Sequence, residues 1–211
     1  MNREYSLNLL TEKREFLKRI VEFNHPQSDG FLPEELTGTR LYDAIMSDPR
    51  YKRRFIPPKK LFFDFENIYN RLVFLKGDSL YKLSLIISGC MCSNILQSTI
   101  NKTSVIPFME FLGEDIYKLS LQRGSLYFPV PLKEKVQGFY ESPELAVTNC
   151  GANIISFFIS SADEEYRQFI DFKTESKKIL SFSETEKQIL FNCIRKIIIL
   201  EIDSSCQSIF Y

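Results

Sequence analysis

The chain has one histidine, His25, set against Pro26. Any Ser-His-Asp or Cys-His triad would have to use it, and the sequence has no G-x-S-x-G nucleophile elbow to present a serine. A histidine in a proline-bounded loop more often hydrogen-bonds backbone than moves a proton, because catalysis requires the geometry before the pKa matters. With a single imidazole, multi-histidine zinc and iron sites are excluded. Cys90-Met91-Cys92 is the only close cysteine pair. On a helix, residues two apart point about 200° from one another, so the two thiolates could not grip one metal, and no second pair completes a tetrahedral set. The glycines Gly77, Gly89, Gly113, Gly124, Gly138 and Gly151 stand singly, without G-x-G-x-x-G spacing or a P-loop lysine to cradle phosphate. Asp64 and Glu66 would diverge on a helix. The run Asp163-Glu164-Glu165 suits a helix start, where the macrodipole favours negative charge. The sequence therefore assigns no catalytic, metal or cofactor-binding residue and no small-molecule substrate, and the expectation is a protein that is not an enzyme.

The strongest electrostatic feature is basic. Arg50, Lys52, Arg53, Arg54, Lys59 and Lys60 follow one another with no acid between Arg50 and Lys60. Such a run is most often a solvated loop. Its functional reading is a face for an acidic protein partner. Tyr51 and Phe55 are interleaved as nucleic-acid stacking would want, but the whole chain balances 27 basic against 27 acidic residues. That leaves no overall field to gather nucleic acid or anionic lipid.

A chain of 211 residues, 44% hydrophobic and 26% charged, fits one domain with a sizeable core. No stretch of 18 uncharged apolar residues suggests a membrane span. The first twenty residues alternate charged with apolar groups and lack a signal-peptide apolar core. Five scattered cysteines suit a reducing compartment. The expected location is the cytosol.

The elements that must carry these residues read as mainly α: an irregular helical bundle with two long loops rich in proline and glycine. Leu10, Phe16, Leu17, Ile20 and Val21 predict a helix over 3–23 that Pro26 stops. Residues 24–60 hold Pro33, Pro49, Pro57 and Pro58 with Gly30 and Gly38 and read as irregular, with a short helix over 40–46. Apolar periodicity predicts helices over 60–75, 79–99 and 105–112, the last ended by Gly113, and another from Glu114 that stops at Gly124. Asp78 can cap the second of these. Small Ser84, Ser88 and Gly89 would let a neighbouring helix come close. Residues 125–142, with Pro129, Pro131 and Gly138, read as the second long connection. Ser142-Pro143 starts a helix, while 145–160 could be helix or buried strand. Ser161 to Glu164 and Ser183 to Glu186 both fit the capping box and open helices over 162–172 and 184–201. The echo of Leu80-Tyr81-Lys82-Leu83-Ser84-Leu85 in Ile116-Tyr117-Lys118-Leu119-Ser120-Leu121 reads as two helices with similar packing faces, since a repeat array needs more units. The organisation expected is a single helical domain over 1–211, its loop-rich residues 1–60 packed on a helical core over 61–202.

Three passages carry a resemblance. Phe23-Asn24-His25-Pro26, followed by Leu32-Pro33, ends the first helix. Leu80 to Ile100 is an apolar helix with a small-residue break. Phe108 to Gly124 is similar to a recurring family passage of the form LGEDxYxxALRRG, through Leu112, Gly113, Glu114, Tyr117, Arg123 and Gly124, with Ser120 and Gln122 departing from it. Together, over about a third of the chain, they resemble the SctK family of type III secretion accessory proteins, which includes YscK-, MxiK-, OrgA- and EscK-like members. The resemblance implies a largely helical, cytoplasmic, non-enzymatic adaptor of the sorting platform. It would join the cytoplasmic domain of an SctD-like inner-membrane ring protein to an SctQ-like scaffold. A secretion chaperone or regulatory binding module is the alternative function. The residue types alone supply neither partner's name.

Overall fold

The structure, a computed structural model, describes residues 65–173 and 180–210, together with Phe16, Lys18, Arg19, Ile20, Phe23, Arg40 and Ser47. The chain is mainly helical, and the described residues contain no β-strand. It divides into two compact units, one formed by 77–161 with 172–206, the other by 1–76 with 162–171 and 207–211.

The first of these units is a helical bundle arranged around α1 (Gly77–Met91). Leu80, Leu83, Ile87 and Met91 recur every three or four residues and are fully buried, so one helical face makes the core. Asp78 does not cap this helix from outside; it lies in the first turn, where its charge suits the dipole. The helix expected over 79–99 is in two pieces, because Gln137 donates its Nε2–H to the Met91 carbonyl at 2.8 Å. A side chain inserted into the backbone ladder breaks it, and Cys92 leaves helical geometry before α2 (Ser93–Ser98) resumes. The next helix, α3 (Lys102–Leu112), starts three residues earlier than expected, since the Asn101 side chain accepts from Thr103 N–H at 3.1 Å and caps it there.

Gly113 ends α3 with φ 80°, a conformation that glycine adopts without strain. α4 (Glu114–Tyr127) then runs straight through Gly124. That glycine is a contact and not a stop: a Cβ there would lie 2.6 Å from the Ser93 Cβ and 3.1 Å from the Cys90 Cα. The long loop expected over 125–142 contains α5 (Val130–Gln137). Pro129 stands at its N-cap and Pro131 within its first turn, positions whose backbone N–H has no helical acceptor to lose. The ambiguous segment is α6 (Pro143–Ser161), started by Ser142 Oγ accepting from Leu145 N–H at 3.2 Å. Val147, Cys150, Ile154 and Phe158 bury one face at helical spacing, and this periodicity outweighs the β-branched composition. α7 (Glu184–Ile197) opens with the Ser183/Glu186 capping box fully formed and runs into a π turn over Ile198–Ile202. α1 packs along α6 and α4 and touches the other four helices of the bundle and the π turn.

The second unit holds a 3-10 helix over Ile68–Phe74, shorter and tighter than the expected helix over 60–75; Asn67 caps it by accepting from Tyr69 N–H. Residues 60–64 lie outside the described residues. Buried Arg71 donates from Nε to the Phe65 carbonyl at 3.0 Å and from an Nη to the Ile209 carbonyl at 2.7 Å. Its guanidinium also lies 4.8 Å from the Phe16 ring centre, so a charge taken from water finds three compensating contacts. Phe16, Phe23, Phe65, Phe74, Tyr166 and Phe169 form an edge-to-face cluster. The Ser161 to Glu164 capping box does not form. Ser161 closes α6, its hydroxyl donating to the Phe157 carbonyl. Asp163 stands at the N-cap of a four-residue helix over Glu164–Arg167, with no side-chain capping bond. Its carboxylate accepts from Asn67 and Asn70 at 3.0 and 2.6 Å, which explains its place better than the helix dipole alone.

Candidate functional site

Small residues set the geometry of the bundle's interior. A Cβ on Gly89 would collide with the Ser120 hydroxyl of α4, and one on Gly151 would collide with the Ser84 carbonyl of α1. The close approach anticipated at Ser84, Ser88 and Gly89 is therefore real, and α4 and α6 both use it. It brings thiols together. Cys92 Sγ lies 3.8 Å from Cys150 Sγ, and Cys150 Sγ lies 3.7 Å from Ser88 Oγ, which accepts from Gly151 N–H at 3.0 Å. Cys90, Cys92 and Cys150 are all buried. Burial pushes the Cys90 thiol up to about 12. The Cys150 contact and burial together push Cys92 well up. Lys133, also buried, donates to Ser93 Oγ at 2.8 Å, and burial lowers its pKa. Burial likewise raises the phenol of Tyr140, which accepts from Asn153 Nδ2. Cys90 and Cys92 are thereby neutral thiols, and a neutral thiol is a poor nucleophile. Their chemistry is packing. The contact that Cys92 makes, across 58 residues to Cys150, has no local signal.

A second convergence lies at the π turn. The Glu201 carboxylate accepts from the Tyr127 hydroxyl and from Arg123 at 3.3 Å, and the Glu201 carbonyl accepts from Lys82 Nζ at 3.2 Å. Burial and the adjacent carboxylate both push the Tyr127 phenol up, so it stays a donor. Glu201 thus ties the turn to α1 and α4. The residues flanking these contacts point outward: Leu126 is 80% exposed and Leu200 67%, Tyr81 beside Lys82 is exposed as well, and Val130, at the start of α5, is 63% exposed. Large apolar groups presented to water on a braced backbone are what a docking surface requires. Sequence reasoning did not find this set, because nothing in a local window distinguishes an outward leucine from an inward one when the π turn shifts the helical phase.

Of the residues singled out in sequence, Leu112, Gly113, Glu114, Tyr117, Arg123 and Gly124 come together as one α3–α4 hairpin. Leu112, Tyr117 and Gly124 face the core, Gly113 makes the turn, and Glu114 pairs with Lys118 at the start of α4. Arg123 alone reaches the Glu201 convergence. Phe23 belongs to the aromatic cluster of the other unit. His25, Pro26 and the basic set Arg50, Lys52, Arg53, Arg54, Lys59 and Lys60 lie outside the described residues. The two echoing hexapeptides do not present similar faces. Tyr81 is exposed on α1 whereas Tyr117 is buried on α4, because α4 meets its neighbours with the helix turned to a different phase. Among the described residues no group of three histidines, cysteines or carboxylates is placed to hold a metal. No helix among them is long and apolar enough to cross a membrane. No family model, curated protein or solved structure matches the chain.

Proposed function

We propose that this protein is a non-enzymatic cytoplasmic adaptor of a type III secretion sorting platform, an SctK-like link between an SctD-like ring protein's cytoplasmic domain and an SctQ-like scaffold. The observation that carries the reading is the set Leu126, Val130 and Leu200, exposed on α4, α5 and the π turn, of which Glu201 braces α4 and the turn. An adaptor has to hold two partners at a fixed spacing, and stiff elements with outward apolar anchors do that. The α3–α4 hairpin is also the part of the chain whose sequence most closely resembles the family.

The test is capture of both purified partners by the tagged full chain. Leu126→Asp with Leu200→Asp should release one partner while leaving helicity and the unfolding midpoint near wild type, both positions being exposed. Capture of an exported substrate, with neither ring protein nor scaffold retained, would replace the adaptor with a chaperone. Retention of both partners by the double variant would remove this surface.

A further inference from the structure

The outer face of α3 carries groups that the bundle leaves alone. Of its eleven residues only Phe108 and Leu112 are buried, although Val105, Ile106, Pro107, Met109 and Phe111 are apolar too. At 100° per residue, Lys102, Ile106 and Glu110 follow one another every four positions in a stripe turned away from Phe108. Ile106 is 41% exposed, and Lys102 and Glu110 are exposed at either end of it. Three ion pairs form elsewhere on the bundle: Lys118 with Glu114, Arg123 with Glu201, Lys135 with Glu186. The Lys102 and Glu110 side chains have no such partner among the described residues, and at two helical turns apart they cannot serve each other.

We propose that this face of α3 docks on the same face of a second copy of the chain, with the two helices antiparallel and Ile106 at the two-fold axis. In that register Ile106 meets its counterpart, Lys102 of each copy meets Glu110 of the other, and both orphan charges are matched twice over. A parallel pairing would set Lys102 on Lys102 and Glu110 on Glu110, so the charges select one orientation as well as one occupant. An eleven-residue helix is only about 16 Å long. Its face falls well short of the roughly 800 Å² per partner of a standard stable interface, so the dimer is weak and forms with rising concentration. The inference stands apart from the adaptor reading and uses none of its residues.

Sedimentation equilibrium on the full chain tests it. Between about 10 μM and 1 mM, the range expected for so small an interface, the weight-average mass should climb from 24.7 kDa toward twice that value. Ile106→Glu should hold it at the monomer. Lys102→Glu and Glu110→Lys should each weaken association about tenfold, and the double charge swap should restore it, since it recreates both cross-pairs. A chain that stays monomeric throughout overturns the proposal. So does self-association indifferent to Ile106→Glu, which would place it on another face, or a swap that fails to rescue, which would rule out this register. Circular dichroism on each variant checks that the helices remain, and all three positions are exposed.

Discussion

Gly151→Ala and Gly89→Ala add the same methyl to the same bundle, yet the structure assigns them different costs and different remedies. The methyl at 151 would strike the carbonyl oxygen of Ser84 and come within 2.8 Å of its carbonyl carbon. Those atoms belong to the backbone of α1 and cannot rotate away, so α6 must lift from α1 and loosen the packing of Val147, Ile154 and Phe158. Overpacking of this kind costs about 1–3 kcal/mol and more when backbone must move. With the backbone displaced the cost is about 4 kcal/mol; alanine's helix preference returns about 1 kcal/mol, leaving a net loss of roughly 3 kcal/mol. The methyl at 89 instead meets the hydroxyl and Cβ of Ser120, a side chain, and should cost about 1–2 kcal/mol. Ser120→Gly removes that obstacle, so Gly89→Ala with Ser120→Gly should be more stable than the sum of the single losses by at least about 1 kcal/mol. Ser84→Gly leaves the carbonyl in place and should not rescue Gly151→Ala. Urea unfolding followed at 222 nm reads these differences in a protein that has no tryptophan to report them. A Gly151→Ala variant within about 1 kcal/mol of wild type, or one rescued at Ser84, would refute the backbone-to-backbone approach of α1 and α6.

Other outcomes follow from single contacts. Ser183→Ala removes the capping box of α7 and should cost about 1 kcal/mol in the same assay. Glu186 is held down to about 2, first by the hydrogen bond from Lys135 and then by Ser183. Its folded pKa lies below the ordinary value of about 4.3. Its contribution is therefore complete above that value and lost as pH falls toward about 2. Melting temperatures of wild type and Glu186→Gln should converge over that acid window, and parallel curves would discount the pair. Cys90, Cys92 and Cys150, all buried, should alkylate at least about 100-fold more slowly in the folded chain than in denaturant; mass spectrometry showing early labelling of any of them would contradict the packing role. Arg53→Glu with Arg54→Glu should weaken one partner while the melting temperature barely moves, and unchanged capture of both partners would take the basic run out of the adaptor surface.

Helix placement was legible wherever the signal was local. Ser183 and Glu186, the Ser142-Pro143 start, Gly113, and the three-and-four spacing of Val147, Cys150, Ile154 and Phe158 all act within one or two turns. The misplacements have a common cause in partners distant along the chain. Gln137 breaks the helix at Met91 from 46 residues away, and Asn67 and Asn70 claim Asp163 across more than 90. Proline misled at 125–142 because its meaning depends on position: Pro129 and Pro131 begin a helix where two prolines in a row of loop-like residues suggested none. Ser84, Ser88 and Gly89 announced a close approach, but which helices would answer was written only in Ser120 and Gly151, residues that look like nothing in particular until they face α1.

The exposed set at the π turn can also be weighed. Full coverage of a leucine or valine side chain yields about 1.5–3 kcal/mol, so Leu126, Val130 and Leu200 together offer roughly 5–9 kcal/mol to a partner. Association itself costs about 4–15 kcal/mol. The three anchors are therefore enough to choose where a partner sits and too few to hold it alone. A stable complex needs further contacts, for which the Arg50 to Lys60 run is the strongest charged feature in the sequence. Truncating one anchor, as in Leu200→Ala, should then weaken capture by about 5–30-fold, the equivalent of about 1–2 kcal/mol. Loss of all binding from that single truncation would mean that the surface acts through one dominant pocket and not through three shared anchors.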